Sequence, residues 1–122
     1  MASAAIDFPS IFTKEQISYI SQAVAEKARE VYGEKLRDVI LYGSYARGDF
    51  EEWSDVDIMI IADADDFVCN KLKNIVRDDL WDLNNRMNLL LSITTAPRER
   101  FDRMKNHYPF YTNISKEGVK LC

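Results

Sequence analysis

Asp55 and Asp57 stand at the mouth of an unbroken apolar run, Ile58-Met59-Ile60-Ile61, and this pairing constrains the chain more than any other stretch. The run offers no polar residue to either side, so a strand over Asp55–Ala62 must be covered on both faces. Side chains two apart on a strand share a face, which brings both carboxylates to the same side. Like charges there repel and resist burial, and a hard divalent cation is the natural remedy. Magnesium prefers oxygen ligands, commonly one or two carboxylates completed by substrate phosphates and waters.

The pattern around this strand is that of helices and strands interleaved. Thr13 and Gln16 have capping-box spacing, and Ile17, Ile20, Val24, Ala28 and Val31 follow at helical period, predicting an amphipathic helix that stops near Gly33. Val39–Tyr42 reads as a short buried strand broken by Gly43-Ser44. The segment Tyr45–Trp53 is turn-like and charged. Asp63, Asp65 and Asp66 precede one helix carrying Val68, Leu72, Ile75, Val76, Leu80 and Leu83. Acidic residues in a first turn complement the helix dipole. A third strand is expected over Asn88–Thr95, and Pro97 opens a short helix around Glu99–Lys105. The tail from Tyr108, with its aromatic group Tyr108, Phe110 and Tyr111, is expected to be pinned to the sheet and to end in a small strand, Val119–Leu121. Trp81 reads as packing in the second helix; Trp53, beside the aspartates, reads as a base-stacking residue, a packing residue or a partner contact.

The corner before the aspartates has its own chemistry. Glycine lets a ligand approach the backbone closely, N–H groups at a helix start favour an anion such as phosphate, and the Ser44 hydroxyl adds a donor. A phosphate cradle followed by an aspartate pair suggests a site for a magnesium–nucleotide complex. Gly43-Ser44, ten residues and then Asp55-x-Asp57 resembles the signature of the DNA polymerase β nucleotidyltransferase superfamily. Gly43-Ser44-x-Ala46-Arg47-Gly48, Ser54-Asp55-x-Asp57 and the ending Pro109-Phe110-Tyr111-x-Asn113-Ile114-x-Lys116-Glu117-Gly118-Val119 are similar to the minimal nucleotidyltransferases, small proteins often encoded beside a HEPN-domain toxin as its antitoxin.

That resemblance implies an α/β (α+β) fold of the polymerase β type, a small mixed sheet flanked by helices; 122 residues are enough for one domain and too few for two, so a single domain over residues 1–122 is expected. It implies that Gly43 and Ser44 hold the β- and γ-phosphates of a nucleoside triphosphate, ATP by preference, and that Asp55 and Asp57 ligate one or two Mg2+ ions. An acceptor hydroxyl, on a HEPN-type partner by the same resemblance, would attack the α-phosphorus and release pyrophosphate. Arg47 would either neutralise triphosphate charge or brace the loop, the second role weighing more. The superfamily normally supplies a third carboxylate from a following strand, and in similar sequences it falls where this chain carries Asn88, which offers a carbonyl oxygen but no charge. Asp79, Asp82 and Glu99 read as solvated helix-face residues. Asn88 therefore leaves two readings standing beside each other: a magnesium-dependent transferase, and a weakened module that neutralises its partner by binding. A small-molecule nucleotidyltransferase is a third, disfavoured because no further helical domain follows to complete an acceptor pocket.

Composition sets the remaining limits. A net charge of −4 lacks the basic stripe expected of a protein that grips long nucleic acid. No apolar stretch reaches the roughly 20 residues needed to span a bilayer, Met1–Ser10 shows no basic start followed by an apolar run, and Cys69 and Cys122 have no metal-ligand spacing. A cytoplasmic protein without membrane contact is expected, with size and apolar content that leave room for a homodimer. His107, the only histidine, has no nucleophile arranged near it in sequence and reads as a surface residue.

Overall fold

The computed structural model describes residues 11–122. The expectation that Met1–Ser10 carries no leader lies outside them. Helix α1 spans Lys14–Tyr32. Its capping box is complete: the Gln16 amide donates to Thr13 Oγ1 at 3.1 Å and the Thr13 amide to Gln16 Oε1 at 2.8 Å. Gly33, at φ 58°, ends it and opens a 3-10 turn into strand β1, Leu36–Tyr42. The strand begins earlier than its apolar segment because Leu36 and Asp38 pair, through a bulge, with the end of the neighbouring strand.

One helical turn, α2 (Ser44–Arg47), leads through a loop to β2 (Val56–Ala62). Helix α3 covers Asp66–Asp79, its N-cap Asp65 accepting from the Val68 amide at 2.8 Å. The single helix expected over Val68–Leu83 is broken at Leu80, where φ −96° and ψ 9° depart from helical values, and resumes as α4, Trp81–Arg86. Leu80 sits at the break because its side chain is buried while Trp81, read as packing, is 62% exposed. Strand β3 runs Leu91–Pro97, α5 Arg98–Met104, α6 Pro109–Glu117 and β4 Val119–Lys120. The tail thus holds a helix that was not expected, with Pro109 in its first turn, where a missing N–H costs nothing.

The sheet has the order β3-β2-β1-β4. Strand β1 is antiparallel to β2 and to β4, whereas β2 and β3 are parallel. The sheet is therefore mixed and flanked by helices, as expected. Val39, Leu41, Val56, Ile58 and Ile60 pack with Ile20, Val24 and Ala28 of α1 and Val76 of α3, forming the larger core. Ile40, Met59, Ile61 and Ala96 form a smaller one with Phe101 of α5 and Ile114 of α6. Ile58, Met59, Ile60 and Ile61 are all essentially solvent-free, each contributing roughly 1.5–3 kcal/mol through burial. Tyr32 ties the first layer together by donating its hydroxyl to the Cys69 carbonyl of α3 at 2.9 Å. No helix among the described residues is long and apolar enough to cross a membrane.

This topology decides where chemistry can occur. Parallel β2 and β3 begin at the same sheet edge, and antiparallel β1 ends there. Tyr42, Asp57 and Ser92 consequently form one rung across three strands. Alternation from Ile40, Met59 and Ala96 places the whole rung on the face covered by α5 and α6.

Candidate functional site

The rung is built from the backbone outward. Gly43 adopts φ 78° and ψ −157°, a region that L-residues rarely enter, and so turns the chain sharply from β1 into α2. Its carbonyl accepts from the Ala46 and Arg47 amides, both at 3.1 Å, leaving the Ser44 and Tyr45 amides as the first of the turn. Tyr45 anchors the turn from beneath: it is buried, stacks on Phe50 at 4.6 Å between centroids, and its hydroxyl accepts from the Phe12 amide at 3.1 Å.

Asp57 lies against this corner. A side chain at Gly43 would overlap Asp57 Oδ2 and come within 3.2 Å of its Cγ. Glycine is therefore required twice, for its dihedral angles and for the space the carboxylate occupies. Asp55 falls one residue before β2 and is exposed, whereas Asp57 is half-buried. The two remain electrostatically coupled. Burial pushes the Asp57 carboxyl above the ordinary carboxylate range, the Asp55 charge pushes it further, and Arg47 and hydrogen bonding from Ser92 oppose the rise.

Arg47 is engaged within the protein. Its Nε lies 3.1 Å from Asp49 Oδ2 and its Nη1 3.9 Å from Glu117 Oε1, so it ties the loop to α6 while its charge acts on Asp57. A hollow of about 170 Å³ opens beside it, bounded by Tyr42, Gly43, Phe110, Asn113 and Glu117. Phe110 meets Tyr42 edge-on at 5.9 Å and Tyr111 meets Phe101 at the same distance, so the tail is pinned to the sheet; Tyr108 stays exposed. Trp53 is 51% exposed at φ 63°, which removes its packing role. His107 is exposed, as expected.

Asn88 requires correction. It is not on the third strand: it sits at φ 49° in the turn after α4, exposed, three residues before β3 begins. Asparagine tolerates the left-handed region better than most residues, and the Leu89 amide closes the turn on the Asn84 carbonyl at 2.9 Å. The residue that β3 sets opposite Asp57 is Ser92. Sequence reasoning missed it because Leu89-Leu90-Leu91 looks like continuous strand; the alternation Ser92-x-Thr94 ahead of Ala96 was the available signal.

The donor set suits a hard cation. Asp55, Asp57 and the hydroxyls of Ser44 and Ser92 are oxygen groups, and among the described residues no cluster of three or more acids, histidines or cysteines is present. The protein would thus supply one or two carboxylates, with phosphate and water as the remaining ligands, which is the usual magnesium arrangement.

The cost of this arrangement is measurable. Because the folded carboxyl of Asp57 titrates above its unfolded value, its contribution to stability is greatest at acid pH and is lost as pH rises through the folded value. Asp57→Asn removes the loss. Without divalent cation the variant should match the wild type at acid pH and melt at a higher temperature than wild type at pH 7. Thermal melts in chelator across this range check it, and a lower midpoint for the variant at pH 7 would contradict the repulsion.

A family profile described as nucleotidyltransferase domain matches residues 17–117. A Methanocaldococcus jannaschii protein named as a candidate protein adenylyltransferase is 31% identical over 91 residues, 74% of this chain and 82% of the relative. Two solved structures overlay more loosely. One is a toxin–antitoxin with AMP-PNP, at TM-score 0.48 and 17% identity over 83% of this chain and 72% of that one. The other is a tri-AMPylated Shewanella oneidensis HEPN toxin in complex with MNT antitoxin, at TM-score 0.45 and 14% identity over 86% and 71%. Both scores are too low to add to what the sequence match carries.

Proposed function

The chain belongs to the nucleotidyltransferase domain family, and from that membership we propose that it binds magnesium–ATP and transfers AMP to a hydroxyl on a protein acceptor. The observation that carries the reading is the packing of the Asp57 carboxylate against the Gly43 corner, with Asp55 close enough to raise its proton affinity. Ser44 and the first amides of α2 would hold the β- and γ-phosphates, and Asp55 and Asp57 would hold Mg2+. Bound there, the cation would neutralise triphosphate charge and favour attack at the α-phosphorus. The acceptor oxygen forms the new bond to that phosphorus, the bond to the bridging oxygen breaks, and pyrophosphate leaves while the acceptor proton passes to a base. Arg47 braces the loop and tempers the Asp57 charge. The reading treats residues 1–122 as one transferase domain working in the cytoplasm.

The name carried by the Methanocaldococcus relative supports a protein acceptor, and the resemblance to minimal nucleotidyltransferases points to a HEPN-type partner. A second reading rests on Ser92: a neutral residue beside Asp57 suits a protein that neutralises such a partner by binding alone. Incubation of the full chain with Mg2+, α-labelled ATP and the product of the neighbouring gene, a HEPN-type protein on this reading, separates the two. Label is expected on the partner with wild type and not with Asp57→Ala. A stable unlabelled complex would refute transfer and leave the binding reading.

A further inference from the structure

Two neighbours define the position of the Asp57 carboxylate. On one side is Gly43, where any side chain would displace it. On the other is Ser92, its direct partner in the parallel β2–β3 register, on the same face of the sheet. Residues in register on adjacent strands are neighbours, and the Ser92 hydroxyl hydrogen-bonds the Asp57 carboxyl. Ser92 also faces a choice that only its residue type decides. An anionic side chain here would create three adjacent carboxylates with Asp55 and Asp57, a number that calls for a second cation. A hydroxyl brings an oxygen and a donor hydrogen but no charge.

We propose that Ser92 is a positioning residue that turns the Asp57 carboxylate toward the Gly43–Ser44 corner and, as a neutral residue on β3, limits the site to one divalent cation per chain. This rests on the reading of Asp55 and Asp57 as cation ligands. Groups that orient a metal ligand typically change metal affinity by 10–100-fold when removed. The orienting role needs only the hydroxyl, so threonine should preserve it. The limiting role depends on charge, so aspartate should abolish it.

The test counts ions and does not depend on turnover. Mn2+ is titrated onto the full chain with a non-hydrolysable ATP analogue, and ion bound to protein is separated from free ion and ion–nucleotide by equilibrium dialysis. Wild type is expected to take up one Mn2+ per chain. Ser92→Ala should weaken that uptake on the order of tenfold, Ser92→Thr should restore it, and Ser92→Asp should take up two ions. Circular dichroism confirms that each variant is folded. Unchanged affinity in Ser92→Ala, a second ion on the wild type, or a single ion on Ser92→Asp would overturn the proposal while leaving the cation site intact. Uptake that persists unchanged in Asp57→Ala, or no uptake by the wild type, would overturn the ligand reading and the proposal with it.

Discussion

Asp57→Ala is expected to weaken magnesium-dependent ATP binding by on the order of 100-fold or more, and Asp55→Ala to weaken it substantially but less. The order follows from geometry. Asp57 is half-buried against Gly43, so on the proposed reading its carboxylate would offer a cation a fixed ligand. Asp55 is exposed ahead of the strand, so water competes more strongly for its carboxylate. Magnesium prefers a near-ideal octahedron, which a fixed ligand serves better than a mobile one. Neither variant should lower thermal stability, because each relieves repulsion between like charges. Calorimetric titration of Mg–ATP, repeated in chelator, reads the effect. Affinity equal to wild type in Asp57→Ala would remove the cation from this site.

Gly43→Ala should be severely damaging for a change of one methyl group. At φ 78° and ψ −157° a residue with a Cβ carries strain of about 1–3 kcal/mol, and the added carbon also overlaps the Asp57 carboxylate. Together these predict a fall in melting temperature of roughly 4–10 °C and loss of cation binding. The two contributions can be separated. In Gly43→Ala combined with Asp57→Ala the overlap is gone but the backbone strain remains, so the pair should be more stable than the sum of the single changes indicates. Strict additivity in thermal melts would show that the two residues do not touch.

Much of this site was legible because local chemistry dictates it. The capping box at Thr13, the two-sided apolar strand and the glycine corner each follow from interactions within a few residues, and each stands where expected. What escaped depended on partners distant in sequence. The start of β3 is fixed by pairing with β2 from Val56–Leu91 onward, so Leu89 could be drawn into the larger core ahead of the strand and Asn88 left in a turn. The break at Leu80 is invisible to periodicity, since Leu80 and Leu83 both pack in the larger core despite it. Helix α6 was hidden by Pro109, which signals a stop inside a helix and a start at its first turn.

The neutral side chain opposite Asp57 bears on what a nucleotide held at this corner would escape as well as on what it would meet. On the proposed reading, a water approaching from the β3 side would meet the Ser92 hydroxyl, a group with almost no appetite for a proton at neutral pH, while the one carboxylate of this rung, Asp57, would be committed to the cation. Idle hydrolysis would therefore be slow. On the proposed reading the chain could keep its ATP intact until a protein arrives whose own hydroxyl comes paired with a base, and the timing of the reaction would belong to the visitor.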